Sequence, residues 1–210
     1  MIKVIDIIKN KEGSYKGDLA HYFRVLWHSP NILHPYHNLR HMLHVTWATY
    51  QGAMYYKDQL SDEQIRALLI AAMFHDYNHT GTTGNDSVNI QMAINGMRTH
   101  ALPMDRNLIE ESCKYIRATQ FPHLNENFDL PSLILRDVDV AYTLSDVWIQ
   151  LVNFGLNQEL GMSPEQMLKG QESFLSNMKF HTEWGEKTYR PKIQPRIDEV
   201  KEMIEVLFGR

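Results

Sequence analysis

The sequence predicts an all-α fold, a compact multi-helix bundle. Apolar residues recur at three- and four-residue spacing along most of the chain, strand-like alternation is scarce, and two segments open with clear helix-start chemistry. The opening MIKVIDIIKNKEG starts apolar, but Asp6 and Lys9 interrupt it, so a short strand or helix is expected there rather than a signal segment. Helices are then expected near 18–28, 38–57, 62–76, 86–100, 105–119, 131–143, 145–160, 164–180 and 194–208. Ser61 followed by Asp62 and Glu63, and Ser163-Pro164-Glu165, place a cap, a first-turn proline and acidic residues where a helix N-terminus favours them. RALLIAAMFHD is apolar on nearly every face and should form a central buried helix ending in His75 and Asp76. The YNHTGTTGND that follows should be an ordered polar loop.

A chain of 210 residues can bury a substantial core as one domain, 1–210, and no linker or repeat divides it. Lys and Arg number 21 against 25 for Asp and Glu, a formal net charge of -4, so no global basic field is present to hold nucleic acid. The longest obviously apolar run, Ala67 to Phe74, is far short of the roughly 20 residues that span a bilayer, and no membrane association is expected. A lone cysteine, Cys113, excludes an internal disulfide and fits a reducing cytoplasm. The histidines, 11 in all, concentrate in the first half of the chain.

Three clusters carry chemistry. His75-Asp76 sets a carboxylate at the end of an apolar helix, a costly place unless it is paired or metal-bound. Taken alone, the dipeptide could simply cap its helix. HPYHNLRHMLHV puts His37 and His41 four residues apart, on one helical face; His34 and His44 read as surface histidines and receive no role. LILRDVDVAYTL places Asp137 and Asp139 in an otherwise apolar helix, where at least one needs a strong partner. Imidazole with carboxylate suits zinc, iron or manganese, whereas magnesium prefers oxygen ligands and retained water.

The order His41, His75-Asp76, Asp139 resembles the HD-domain metal-dependent phosphohydrolases. The local strings are closer still to class I cyclic-nucleotide phosphodiesterase catalytic domains. Tyr36-His37-Asn38 with His41 is similar to that family's YHNxxH signature, and His75-Asp76-Tyr77-Asn78-His79-Thr80-Gly81 to its HDxxHxG signature. Ile116-Arg117-Ala118-Thr119 and His123 resemble the segment before the last metal ligand, and Gln171-Glu172-Ser173-Phe174 has the QxxF spacing of a purine-gripping glutamine and its hydrophobic clamp.

The resemblance implies two divalent metals, with zinc, manganese or iron at the first site and magnesium or manganese at the second. His41, His75, Asp76 and Asp139 would hold the first, and Asp76 would bridge to the second. Asp137 is the rival for the last position; Asp139 fits the family's ADxx pattern better. His37 would donate the proton to the leaving oxygen and His79 would orient water or a ligand. Tyr36, Gln171 and Phe174 would bind substrate. Three departures accompany these matches. The family's asparagine after the glycine falls on Gly84, with Asn85 one further. Thr119 is followed by Gln120 rather than aspartate. Where a glutamate is expected near the second metal, Asp86 is the nearest carboxylate.

The expected function is hydrolysis of a cyclic nucleotide, with a purine base favoured, to the 5′-monophosphate. The alternatives are an HD hydrolase acting on nucleoside monophosphates or other phosphoesters, and a non-catalytic HD domain that binds a nucleotide. The expected partner is a small-molecule nucleotide or phosphoester; nothing in the chain sets an oligomeric state.

Overall fold

The computed structural model describes residues 2–82, 86–123 and 127–209, and every regular element among them is helical. Gly84 and Asn85, the positions expected to match the family asparagine, lie outside the described residues. The helices are α1 (Val4–Ile8), α2 (Ala20–Trp27), α3 (Leu39–Tyr55), α4 (Asp62–Phe74), α5 (Asp86–His100), α6 (Ile109–Arg117), α7 (Leu130–Val140), α8 (Asn157–Glu159), α9 (Pro164–Ser176) and α10 (Glu183–Phe208). Tight 3₁₀ turns cover Pro30–Leu33, Pro103–Leu108 and Ala141–Leu144, and a π-helical stretch, Ile149–Leu156, runs directly into α8.

Helix α4 is the axis of the bundle. Residues 65–74 are all buried, and α2, α3, α5, α6 and α7 pack around the helix. Its start is a capping box: Ser61 Oγ accepts from Gln64 N at 3.1 Å while Gln64 Oε1 accepts from Ser61 N at 3.0 Å. Ser163 and Gln166 repeat the device at α9, with Pro164 in the first turn. The one charge inside this buried stretch, Arg66, is neutralised: its Nε and Nη2 donate to Asp105 at 2.6 and 2.8 Å, and Nη1 donates to the carbonyls of Lys16 and Asp18. Because a buried guanidinium is costly unless all its donors are used, this network fixes the N-terminal segment onto α4.

The structure changes the expected elements in two places. Helix α10 begins at Glu183, not near 194, and carries Pro191 and Pro195 in its interior. A proline removes the hydrogen bond to the carbonyl four residues back. Pro191, Pro195 and Lys187 are all exposed, so the released carbonyls face water and the helix continues. On its inner face Trp184, Tyr189, Ile193, Ile197 and Val200 stay buried. The segment expected as a helix over 145–160 is largely π-helical. At Gly155 it comes so close to the Pro35 carbonyl that an added Cβ would sit 2.9 Å from that oxygen. This widened turn brings Val152, Leu156 and Glu159 to the wall of one cavity, as π-segments commonly do beside functional sites.

Candidate metal centre and nucleotide pocket

The residues of the HD cluster come from three helices. His41 lies in the first turn of α3, which Asn38 caps by accepting from Arg40 N and His41 N at 2.9 and 3.3 Å. His75 and Asp76 follow the last turn of α4, and Asp139 sits near the end of α7. Their donor atoms converge. His75 Nε2 is 3.0 Å from Asp76 Oδ2, 3.3 Å from Asp139 Oδ1 and 3.1 Å from His41 Nε2; His41 Nε2 is 3.1 Å from Asp76 Oδ2 and 3.2 Å from Asp139 Oδ1. Ligands about 2.0–2.2 Å from one divalent ion would be separated by about 3–3.5 Å, so the cluster could hold a metal.

Two further observations test the fit. Asp76 Oδ2 is buried and makes no directional hydrogen bond, although two imidazole nitrogens stand beside it. Such an arrangement aims lone pairs at a shared point rather than protons at acceptors. His75 Nδ1 donates to the Ala72 carbonyl at 2.8 Å, which turns Nε2 toward the cluster as the nitrogen that could ligate a metal. The electrostatics agree. Burial works against charge at His75, yet the Asp76 and Asp139 carboxylates hold its imidazole well above the usual range. Burial would likewise raise Asp76, but His75 and His37 hold it well below the carboxylate range. This pocket of paired carboxylates therefore attracts positive charge, which a dication between neutral imidazoles would supply.

Asp137, the rival carboxylate, faces the other way. Fully buried, it accepts from His181 N, Thr182 N and Thr182 Oγ1 at 2.8, 2.9 and 2.7 Å, tying down the start of α10. Burial pushes it up to about 6 despite these bonds.

His37 stands beside the cluster, and a residue that the sequence reading missed holds it there. Glu159 Oε1 accepts from Tyr36 N at 2.6 Å and His37 N at 3.0 Å, while Oε2 takes the His37 Nδ1 proton. Burial would raise the Glu159 carboxyl, but the His37 hydrogen bond outweighs it and keeps the group ionised. The only local signal was a glutamate at helical spacing from Val152 and Leu156. His79 stacks on His37 with ring centroids 3.6 Å apart. Its Nδ1 accepts from Gly81 N at 3.0 Å, so Nε2 carries the proton, and burial lowers it to about 4. The HDxxHxG glycine has its own reason. Gly81 has φ +66°, and a Cβ there would lie 2.6 Å from the His34 ring.

A cavity of about 400 Å³ opens above the cluster, a size that suits a small ligand. Tyr36, His37, His41, Asp76, His79 and Asp139 are among its lining residues, as are Gln171 and Phe174. Gln171 is buried and accepts from Thr143 Oγ1 at 2.8 Å, whereas Phe174 is half-buried against Phe121. Tyr36, His41 and Tyr142 pack against one another in a triangle of rings. His44, assigned no role, is half-buried against Tyr142, and burial lowers it to about 4. His123 lies outside the cavity lining.

Residues 36–126 match the family described as 3′5′-cyclic nucleotide phosphodiesterase. Both signature strings, the His37 loop and the HD turn, fall inside that stretch. The match supports a phosphodiesterase hydrolase, and the all-helical fold is consistent with a phosphodiesterase-like, metal-dependent phosphohydrolase. Phosphodiesterases of this family act on small nucleotides and imply divalent metals, for which the His/Asp cluster provides ligands. Asp139, Glu159, Gln171 and Phe174 lie beyond the matched stretch, so their placement rests on the fold alone. No curated protein matches the chain. Among the described residues, no helix is long and apolar enough to cross a membrane.

Proposed function

We propose that the chain is an HD-type phosphodiesterase that hydrolyses a cyclic purine nucleotide to its 5′-monophosphate. The observation that carries this reading is the arrangement of one site: a cluster of four metal-type donors, three of which line the cavity, a carboxylate-held histidine beside them, and a buried amide with an aromatic ring in the same lining. His41, His75, Asp76 and Asp139 would hold the first divalent ion, zinc, manganese or iron. Asp76, with His37 and His79 close by, would face a second, magnesium or manganese. Bound metal lowers the pKa of water toward about 7 and offsets charge on the phosphoryl oxygens.

The remaining work falls to the chain's own residues. His37, its Nδ1 fixed by Glu159, gives a proton from the other ring nitrogen to the departing 3′ oxygen. His79, neutral at pH 7, orients a water or phosphoryl oxygen through Nε2–H. Tyr36 packs against the ligand His41 and closes one wall of the site. Phe174 offers a face to a flat base, and Gln171, whose carbonyl accepts from Thr143 Oγ1 and whose Nε2 donates one proton to Met167 Sδ at 3.4 Å, offers its second amide proton. That one remaining donor also suits phosphoesters without a purine, which keeps nucleoside monophosphates and other phosphoesters as the second reading. A single domain over 1–210 is supported by one hydrophobic cluster that reaches from Ile7 to Val200. The buried, free Cys113 suits a reducing cytoplasm.

The test is turnover of cyclic AMP, cyclic GMP, cyclic dinucleotides and nucleoside monophosphates by the metal-analysed protein, with and without added Mn²⁺. Cyclic mononucleotides converted to 5′-monophosphates are expected. Release of phosphate from monophosphates alone would replace the first reading with the second.

A further inference from the structure

Asn31 is fully buried in the 3₁₀ turn that precedes the His37 loop, and no part of it lines the cavity. Its side chain reaches only backbone. Nδ2 donates to the His37 carbonyl and to the Asp76 carbonyl, both at 2.8 Å, and Oδ1 accepts from Asn78 N at 2.7 Å. One amide thus ties the loop that carries the candidate acid to the turn that carries the candidate metal ligand. Among the described residues, no other side chain of segment 29–38 hydrogen-bonds the backbone of 76–78. That turn needs a tie, because Asn78 sits at φ +59°, a conformation that L-residues with a side chain adopt at a cost.

We propose that Asn31 is a positioning residue that sets the separation between His37 and Asp76, and so the reach of the acid to the leaving oxygen; the proposal rests on the phosphodiesterase reading. Its geometry suits that task better than general stability. A buried Asn that merely satisfied its own polarity could pair within its own turn. Asn31 instead spends both amide protons on the backbone of His37 and Asp76, 45 positions apart from Asn31 in the second case. The His37 ring stacks on His79, so a shift of the His37 loop moves that contact too.

The test uses the full-length, zinc-loaded chain with Asn31→Ala and the isosteric Asn31→Asp, which keeps the acceptor for Asn78 and loses both donors. Zinc content should stay at the wild-type level, because His41 and Asp139 stay on α3 and α7 and the His75 ring stays tied to the Ala72 carbonyl of α4. With cyclic AMP, kcat should fall about 10- to 100-fold while KM moves less than about twofold, as expected when a reacting group is displaced by a fraction of an ångström to an ångström. The Asn31→Ala/His37→Ala double variant should be no slower than His37→Ala alone. Independently of turnover, the imidazole NMR signals of His37 should move in both Asn31 variants while those of His44 stay in place. Unmoved His37 signals, or losses that multiply with those of His37→Ala, would overturn the proposal and leave Asn31 a structural residue. Wild-type protein inert toward every cyclic nucleotide would refute the phosphodiesterase reading, and the NMR comparison would still decide whether Asn31 sets the His37 position.

Discussion

Replacing Glu159 with Gln alters one atom at the site and isolates one function. Gln keeps a carbonyl oxygen that can accept from Tyr36 N and His37 N, so the loop backbone retains its anchor. What disappears is the carboxylate oxygen that takes the His37 Nδ1 proton. An amide N–H₂ there cannot accept, so the imidazole must switch tautomer or rotate. A hydrogen bond to a charged group contributes about 1.5–3 kcal/mol, and at 1.36 kcal/mol per tenfold this corresponds to a loss in kcat of about 10- to 150-fold. Cyclic AMP turnover by Mn²⁺-loaded Glu159→Gln should show that loss with unchanged metal content. Bis(4-nitrophenyl) phosphate, whose leaving group needs little protonation, should show a smaller one. Equal losses on the two substrates would refute the assignment of Glu159 to proton delivery and leave it as a loop anchor.

Three further variants probe the rest of the molecule. Asp139→Asn should lose bound metal and activity together, while Asp137→Asn should retain metal and lower the melting temperature by loosening the start of α10; metal analysis with calorimetry separates the two, and the opposite pattern would move the ligand to Asp137. Gln171→Ala should raise KM for cyclic AMP more than it changes kcat, because its amide lines the cavity without belonging to the metal-type cluster; unchanged steady-state kinetics would remove the argument for a purine. His44 links stability to pH. Its value is depressed by burial from 6.5 to about 4, so the unfolded chain binds this proton first and stability is lost as pH falls from about 6.5 toward 4. His44→Phe, which keeps a ring against Tyr142, should remove about 1–3 kcal/mol of that acid loss. Urea titrations at pH 7 and pH 5 measure it, and an undiminished acid sensitivity in the variant would refute the account.

The parts of this protein that could be read from its sequence are those whose causes are local. Helix periodicity, the capping boxes at Ser61 and Ser163, and the HD turn with its obligatory Gly81 all draw on residues a few positions apart. The last helix is expected only from about 194, whereas α10 starts at Glu183 and runs through Pro191 and Pro195. What keeps the helix intact is their placement on the solvent side, and exposure is a property of the packed bundle. His44 was misplaced for the same reason. Its partner Tyr142 lies across the bundle and nothing near His44 in sequence announces it.

Asp137 and Asp139 show where local reasoning stops. Residues two apart on an α-helix point about 200° away from each other, so only one of the pair can face His41 and His75. Usually the polar side of a helix decides such a choice, but α7 is buried around Asp137 and pairs both carboxylates, one with helix-capping amides and the other with imidazoles. Neither is an exposed leftover, and the hydrophobic pattern is silent between them. Glu159 is harder still, since its partner His37 lies 122 positions away and the intervening helix is π-wound. A helix read at 3.6 residues per turn assigns Val152, Leu156 and Glu159 to a face only approximately, and the wider π-turn decides what they meet. Three of the four candidate metal ligands, His41, His75 and Asp76, sit in strings that a chain can carry as signatures. The groups that aim the acid are set by how far apart the bundle holds its loops, which is why Glu159 and Asn31 emerge only from the folded structure.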